Sequence, residues 1–215
     1  MDKKNFFELD RKEKTAEDIA QDVMNKLDLL PEILEGITSK NSRVKFKSAK
    51  ALSLLGEKSP QKLYPHFDFF ITLLDNDNNI LKWNAQDVIA NLTSVDTERK
   101  FDQIFEKFYG ALNEGSLVTA AHVVENSGKI ARAKPAFEDR ITSHLLKIEE
   151  APVPTPECTE ILVGKSLIAF DEYFDQIRDK SGVISFAKKQ LKGSRKATRT
   201  KAEKFLKKHN PLKPI

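Results

Sequence analysis

A single cysteine, Cys158, stands in a chain of 215 residues. That excludes an intrachain disulfide and every zinc site built from two or more thiolates. Four scattered histidines leave little material for a histidine cluster. No apolar run reaches the ~18 residues that a membrane-spanning helix needs. The opening residues, Met1 to Asp10, hold no apolar stretch of secretory length, so the expectation is a soluble, cytoplasmic protein. Glycine is sparse at 8 residues and tryptophan occurs once, as Trp83. Against these scarcities stand 40% hydrophobic residues, enough for a core, and 32% charged residues, a balance that suits surface-exposed helices better than loops.

The charge is unevenly spread. Residues 186–215 carry eleven Lys/Arg and one acid, Glu203, whereas the remaining 185 residues hold 25 basic and 31 acidic side chains. A net +10 at one end therefore follows a body of −6, and the whole chain is +4.

Self-comparison gives the architecture. Ala49, Ala85 and Ala121 are spaced by 36 residues, as are Leu52, Val88 and Val124. Two further columns keep the same interval: Phe69, Phe105 and Ile141, then Leu73, Tyr109 and Leu145. A fixed period in this range marks a stacked array in which each unit buries its apolar face against the next. Within one period, Leu81, Ala85, Val88, Ile89 and Leu92 form a helical stripe, and its alanine lets two helices approach closely. Ser59-Pro60 and Thr155-Pro156 read as a cap followed by Pro at N1, Lys134-Pro135 as a helix start, and Gly115-Ser116 as a break.

Helices are expected over 15–29, 31–39, 42–57, 60–75, 79–95, 97–113, 117–132, 135–149, 156–171, 174–191 and 195–208, with no strand. Behind the Pro-rich connection 151–156 the repeat lengthens, and aligning Thr159 with Ala121 and Ile168-Ala169 with Ile130-Ala131 sets its interval at 38. The domain organisation expected is a polar segment over 1–14, a repeat domain over 15–209, and a basic cap and tail over 186–215.

The stretch Ala51-Leu52-Ser53-Leu54-Leu55-Gly56, then Leu63-Tyr64-Pro65, then Leu73-Leu74-Asp75, resembles a HEAT repeat, of the armadillo-type class. Lys201-Ala202-Glu203-Lys204-Phe205-Leu206 is similar to Ser48-Ala49-Lys50-Ala51-Leu52-Ser53 and reads as a final unpaired first helix. The resemblance implies an all-α, right-handed α-α superhelix, a HEAT-like solenoid of about five helical pairs, and mostly protein binding. It implies no reaction.

Several patterns imitate chemical sites. Gly164-Lys165-Ser166 copies the end of a phosphate-binding loop, but Thr159 stands where the second glycine belongs. Asp75-Asn76-Asp77-Asn78-Asn79 copies half a calcium loop, with Ile80 in place of its glycine and Gln86 in place of its final glutamate; a polar turn capping a helix is the simpler reading. Glu125, one turn from His122, replaces the apolar Ile89 of the previous repeat, so its carboxylate is expected to point partly inward. Trp83 and Asp87 are adjacent on one helix face. That pair also resembles the site of alkylpurine DNA glycosylases built from HEAT-like repeats, which implies base excision assisted by the acid. His122 where an arginine is expected, and the lack of a second tryptophan, depart from that pattern.

The expected function is a non-enzymatic scaffold for a protein partner, with no catalytic residue, metal, cofactor, small-molecule substrate or membrane. Candidate contacts on the second helices are His66, Lys100, Lys107, Arg140 and His144, joined by Trp83 and Asp87. The alternative is a nucleic-acid-binding or glycosylase-like protein that uses Lys188, Lys189, Lys192, Arg195, Lys196 and Arg199 as polyanion contacts.

Overall fold

The computed structural model describes residues 14–209. Apart from Lys14, the expected N-terminal polar segment lies outside the described residues, as do the last six positions of the tail. Among the described residues every regular element is helical. The chain divides into two compact units, Met1–Asp102 and Gln103–Ile215.

The first unit contains α1 (Ala16–Asn25), α2 (Leu30–Gly36), α3 (Ser42–Lys58), α4 (Pro60–Leu63), α5 (Phe67–Leu73), α6 (Asn79–Leu92) and the start of α7 (Lys100–Gly110). Short polar side chains open the helices by satisfying N–H groups that have no partner within the helix. Thr15 and Asp18 form a reciprocal capping box on α1. Asn41 accepts from Arg43 and Val44 at α3, and Asn78 accepts from the Ile80 amide at α6. Asn76 in turn accepts from the Asn78 amide at 2.9 Å, so the calcium-like stretch is a capped polar turn. Helix α3 packs between α1 and α6, and α5 closes against α6. Asn84 of α6 ties this stack by donating to the Ala49 carbonyl at 2.7 Å and the Ser53 hydroxyl at 2.8 Å.

The second unit holds the rest of α7, then α8 (Leu117–Ala133), α9 (Glu138–Leu146), α10 (Pro156–Tyr173), α11 (Lys180–Gln190) and α12 (Lys196–His209). Gly115, with φ +77, turns the chain into α8, where Ser116 accepts from the Thr119 amide. Thr155 caps α10 and Asp179 caps α11. Helix α10 packs along α8 on one side and α12 on the other. Gly164 allows the second approach, because a Cβ there would lie 3.2 Å from the Thr198 hydroxyl.

All positions of the four repeat columns are buried except Phe69, which is half-buried. Each fully buried Phe or Leu contributes about 1.5–3 kcal/mol relative to exposure, so the columns are a large part of each core. Ala202 and Phe205 of α12 are buried as Ala49 and Leu52 are, in keeping with a final first-type helix.

Five expectations are corrected. The helix expected over 15–29 ends at Asn25, where Lys26 takes an extended backbone, and a 3-10 turn follows at Leu27–Leu29. The helix expected over 60–75 is interrupted by a 3-10 turn at Tyr64–His66, where Pro65 supplies no amide donor. The helix expected from 97 starts at Lys100, because Asp96 draws the Lys100 and Phe101 amides onto its carboxylate and Arg99 adopts a left-handed φ of 57. The helix expected from 174 opens only as a 3-10 turn at Phe174–Gln176, and the α-helix starts at Lys180, where Asp179 provides the cap. The interval from α8 to α10 is 39 rather than 38. Ser127 and Ser166 are buried equivalents whose hydroxyls donate to Val123 and Leu162, whereas Ile168, aligned by the shorter interval with buried Ile130, is 48% exposed.

Candidate functional site

Within the second unit, α7 and α9 bring two of the expected contact residues, Arg140 and His144, into one cluster. The Arg140 guanidinium lies over the Phe105 ring at 4.0 Å and 5.4 Å from the Phe137 ring, and it pairs with Glu106. Phe105 and Phe137 are stacked at 4.7 Å, and Phe105 stacks on Tyr109 at 4.6 Å. His144 continues this column on Tyr109 at 4.9 Å, and burial pushes its pKa below the ordinary histidine value while nearby Glu106 acts in the opposite direction. Arg140 keeps 47% of its side chain exposed. Lys107 is exposed on the same α7.

The other four belong to the first unit. His66 sits half-buried in the 3-10 turn before α5. Lys100 bridges to Asp68 at 3.0 Å, which raises its pKa. Trp83 and Asp87 are both half-buried on α6 and engaged by neighbouring groups. Glu125 does not face inward: its side chain is 51% exposed and pairs with Lys165, because the surface-facing side of α8 meets a lysine of α10 there.

That pair is one rung of a ladder invisible to the sequence reading. An acid in one repeat meets a base, 32 to 40 residues later, in the next: Asp68 with Lys100, Glu106 with Arg140, Glu125 with Lys165, Asp139 with Arg178, Glu149 with Lys189, and Asp171 with Lys208. Exposed pairs of this kind contribute about 0–1 kcal/mol each, so the ladder specifies register more than it stabilises.

The six basic positions expected to contact a polyanion divide into two groups. Lys189 is in the ladder, Arg195 lies 3.9 Å from Glu157, and Arg199 donates to the Gly193 and Ser194 carbonyls, which fixes the turn before α12. Lys188, Lys192 and Lys196 are exposed and make no ion pair among the described residues. Two of these, Lys188 and Lys192, border an open groove of about 700 Å³ between α10 and α11. Thr159 and Val163 form one wall, Ser185 belongs to the other, and Gln190 is only 5% exposed, with its Nε2 lacking a hydrogen-bond partner among the described residues. Sequence reasoning missed this groove. Its signal was a polar Gln190 ending the otherwise apolar stripe Val183, Phe186 and Ala187.

Among the described residues, no group of three or more His, Cys, Asp or Glu side chains is placed to hold a metal ion. No helix there is long and apolar enough to cross a membrane.

The fold is all-α and of the armadillo-type helical-repeat class. A designed armadillo repeat protein superposes with a TM-score of 0.51 over 91% of this chain and 87% of its own, at 16% identity. An engineered protein seen by crystallography gives a TM-score of 0.56 at 16% identity, covering 90% of this chain and 86% of its own. A second engineered protein gives 0.52 at 15% identity, covering 98% and 99%. No protein-family model matches the chain, and no curated protein does.

Proposed function

We propose that the protein is a non-enzymatic helical-repeat scaffold of the cytoplasm that binds a partner protein through the second unit's α7 and α9. The observation that carries this reading is Arg140, held over Phe105 and Phe137 and tethered by Glu106 while nearly half its side chain stays exposed. Arginine and aromatic side chains dominate the energetics of protein interfaces. An arginine already fixed in position loses less conformational freedom on binding, which favours affinity. His144, stacked in the same column, is a further contact, and Lys107 is exposed on the same α7.

Affinity capture from the native source with the intact chain tests the reading. A partner retained by the wild type and reduced at least tenfold by Arg140→Ala, with unchanged circular dichroism, is the expected result. A partner retained equally by both proteins removes Arg140 from the interface.

The uncovered Lys188, Lys192 and Lys196 support a second reading, nucleic-acid binding through the C-terminal helices. It requires affinity for an oligonucleotide that falls steeply with salt.

A further inference from the structure

We propose that the groove between α10 and α11 binds an acidic protein segment, seating an Asp or Glu carboxylate between Lys188 and Lys192 with the Gln190 amide beneath it. This rests on the scaffold reading and adds to it a site and a partner chemistry.

Three independent features point the same way. The first is charge. Glu149 on the rim is answered by Lys189 at 2.5 Å, and Glu160 by the Ser194 amide and hydroxyl at 2.8 and 2.7 Å and the Arg195 amide. The Ser194 hydroxyl bond holds the Glu160 carboxyl below its usual pKa. With both rim acids satisfied within the protein, Lys188 and Lys192 are the charges left for a ligand.

The second is the floor. Gln190 is buried, and its amide nitrogen has no hydrogen-bond partner among the described residues. An unsatisfied buried donor costs about 1–3 kcal/mol, so the hydrogens of this amide are uncommitted within the protein and can be given to a ligand oxygen. The two ends of a glutamine amide exchange by rotation about its last side-chain bond, so the donor can be presented to the groove. Thr159 and Ser185 add hydroxyls suited to the amides of a peptide backbone.

The third is continuity. A shallower cleft lined by Val153, Pro154 and Pro156 shares Thr159 and Glu160 with the groove. It offers an apolar footing for a residue next to the acid, as an extended peptide supplies.

A polynucleotide fits less well. Its closely spaced phosphates would lie along a rim that includes Glu149 and Glu160, and neither cavity is lined by an aromatic side chain on which a base could stack.

The test is a heteronuclear NMR titration of the full-length protein. The probes are N-acetyl-glutamate methylamide, its glutamine counterpart, and a labelled twelve-residue peptide in which Glu alternates with Leu and Ser. The expected result is a saturable shift of the Gln190 side-chain NH₂ signals with the glutamate probe and not with the glutamine one. The labelled peptide should bind at least tenfold more weakly to Lys188→Gln/Lys192→Gln. Gln190→Leu keeps the volume and removes the amide, so it should stay folded and bind the labelled peptide at least tenfold more weakly. An unmoved Gln190 signal, an equal response to the glutamine probe, or a single-stranded oligonucleotide preferred to the peptide overturns the proposal. If the groove fails while partner capture still depends on Arg140, the scaffold reading survives. If capture fails while the glutamate probe still binds at Gln190, only the Arg140 interface is lost.

Discussion

Gly128 of α8 lies so close to Glu172 of α10 that a Cβ on it would sit 2.7 Å from a carboxylate oxygen and 2.9 Å from the Glu172 Cβ. The glycine is what allows two neighbouring first helices to meet at this spacing. Gly128→Ala gains about 1 kcal/mol in helix propensity and forces a shift whose cost is about 1–3 kcal/mol. The expected net is destabilisation, read as a lower urea midpoint. Gly110 provides the control, since a Cβ there would meet nothing within 4 Å. Gly110→Ala should raise the midpoint by the equivalent of about 0.5–1 kcal/mol.

The Asp96 carboxylate ends one segment and begins another. It accepts from the Tyr64 hydroxyl at 2.7 Å and from the Lys100 and Phe101 amides at 2.9 Å each, while the Tyr64 oxygen accepts from the Glu98 amide at 3.2 Å. Tyr64→Phe removes a buried bond to a charged acceptor and should cost about 1.5–3 kcal/mol. Asp96→Ala should cost more, because two helix-initiating amides lose their acceptor. A double-mutant cycle should return a coupling of about 0.5–3 kcal/mol, and strict additivity would show that the bond contributes nothing.

How much of this was legible beforehand depends on the kind of interaction. The columns Ala49/Ala85/Ala121 and Leu52/Val88/Val124 were readable because burial against a neighbouring repeat imposes residue type at fixed intervals. Caps such as Asn78 and Thr155 were readable because they act within a few residues. The break at Pro65 carried a local signal, a proline within an expected helix. The true interval across the connection of 151–155 did not follow from Ile168 or Thr159, since such a connection changes length without changing local pattern. The buried pair Ser127 and Ser166 fixes it. The acid–base ladder was hidden because exposed positions accept many residues and partners lie 32 to 40 residues apart. The groove beside Gln190 left one local trace, a polar residue ending an apolar stripe, but its two walls come from α10 and α11, whose pairing no pattern within one helix expresses.

His144 makes part of the stability dependent on pH. Burial against Tyr109 and Phe105 disfavours its charged form, so the folded pKa is below the unfolded value of about 6.5. The folded state then binds fewer protons than the unfolded chain. Its contribution is complete above pH ~6.5 and declines as pH falls from there towards the lowered folded pKa. Melting temperatures at pH 7.5 and 5.0 should differ more for the wild type than for His144→Phe, which keeps the stacking. A His144 ring that titrates at or above the ordinary value would contradict the burial argument.

Trp83 and Asp87 raise the question of base excision, and the expected outcome is none. A glycosylase needs a carboxylate beside the glycosidic bond of an extruded nucleotide, with groups that offset an unstacking cost of roughly a few kcal/mol. Asp87 is half-buried and already engaged by neighbouring groups, as is Trp83. His122 replaces the expected arginine, and the chain has no second tryptophan. The lysines without ion pairs, Lys188, Lys192 and Lys196, lie in the other unit and supply only charge. Incubation of methylated duplex DNA with the protein should therefore release no purine above background, and Asp87→Asn should behave identically. Release by the wild type that disappears in Asp87→Asn would place catalysis at this helix and displace the scaffold reading.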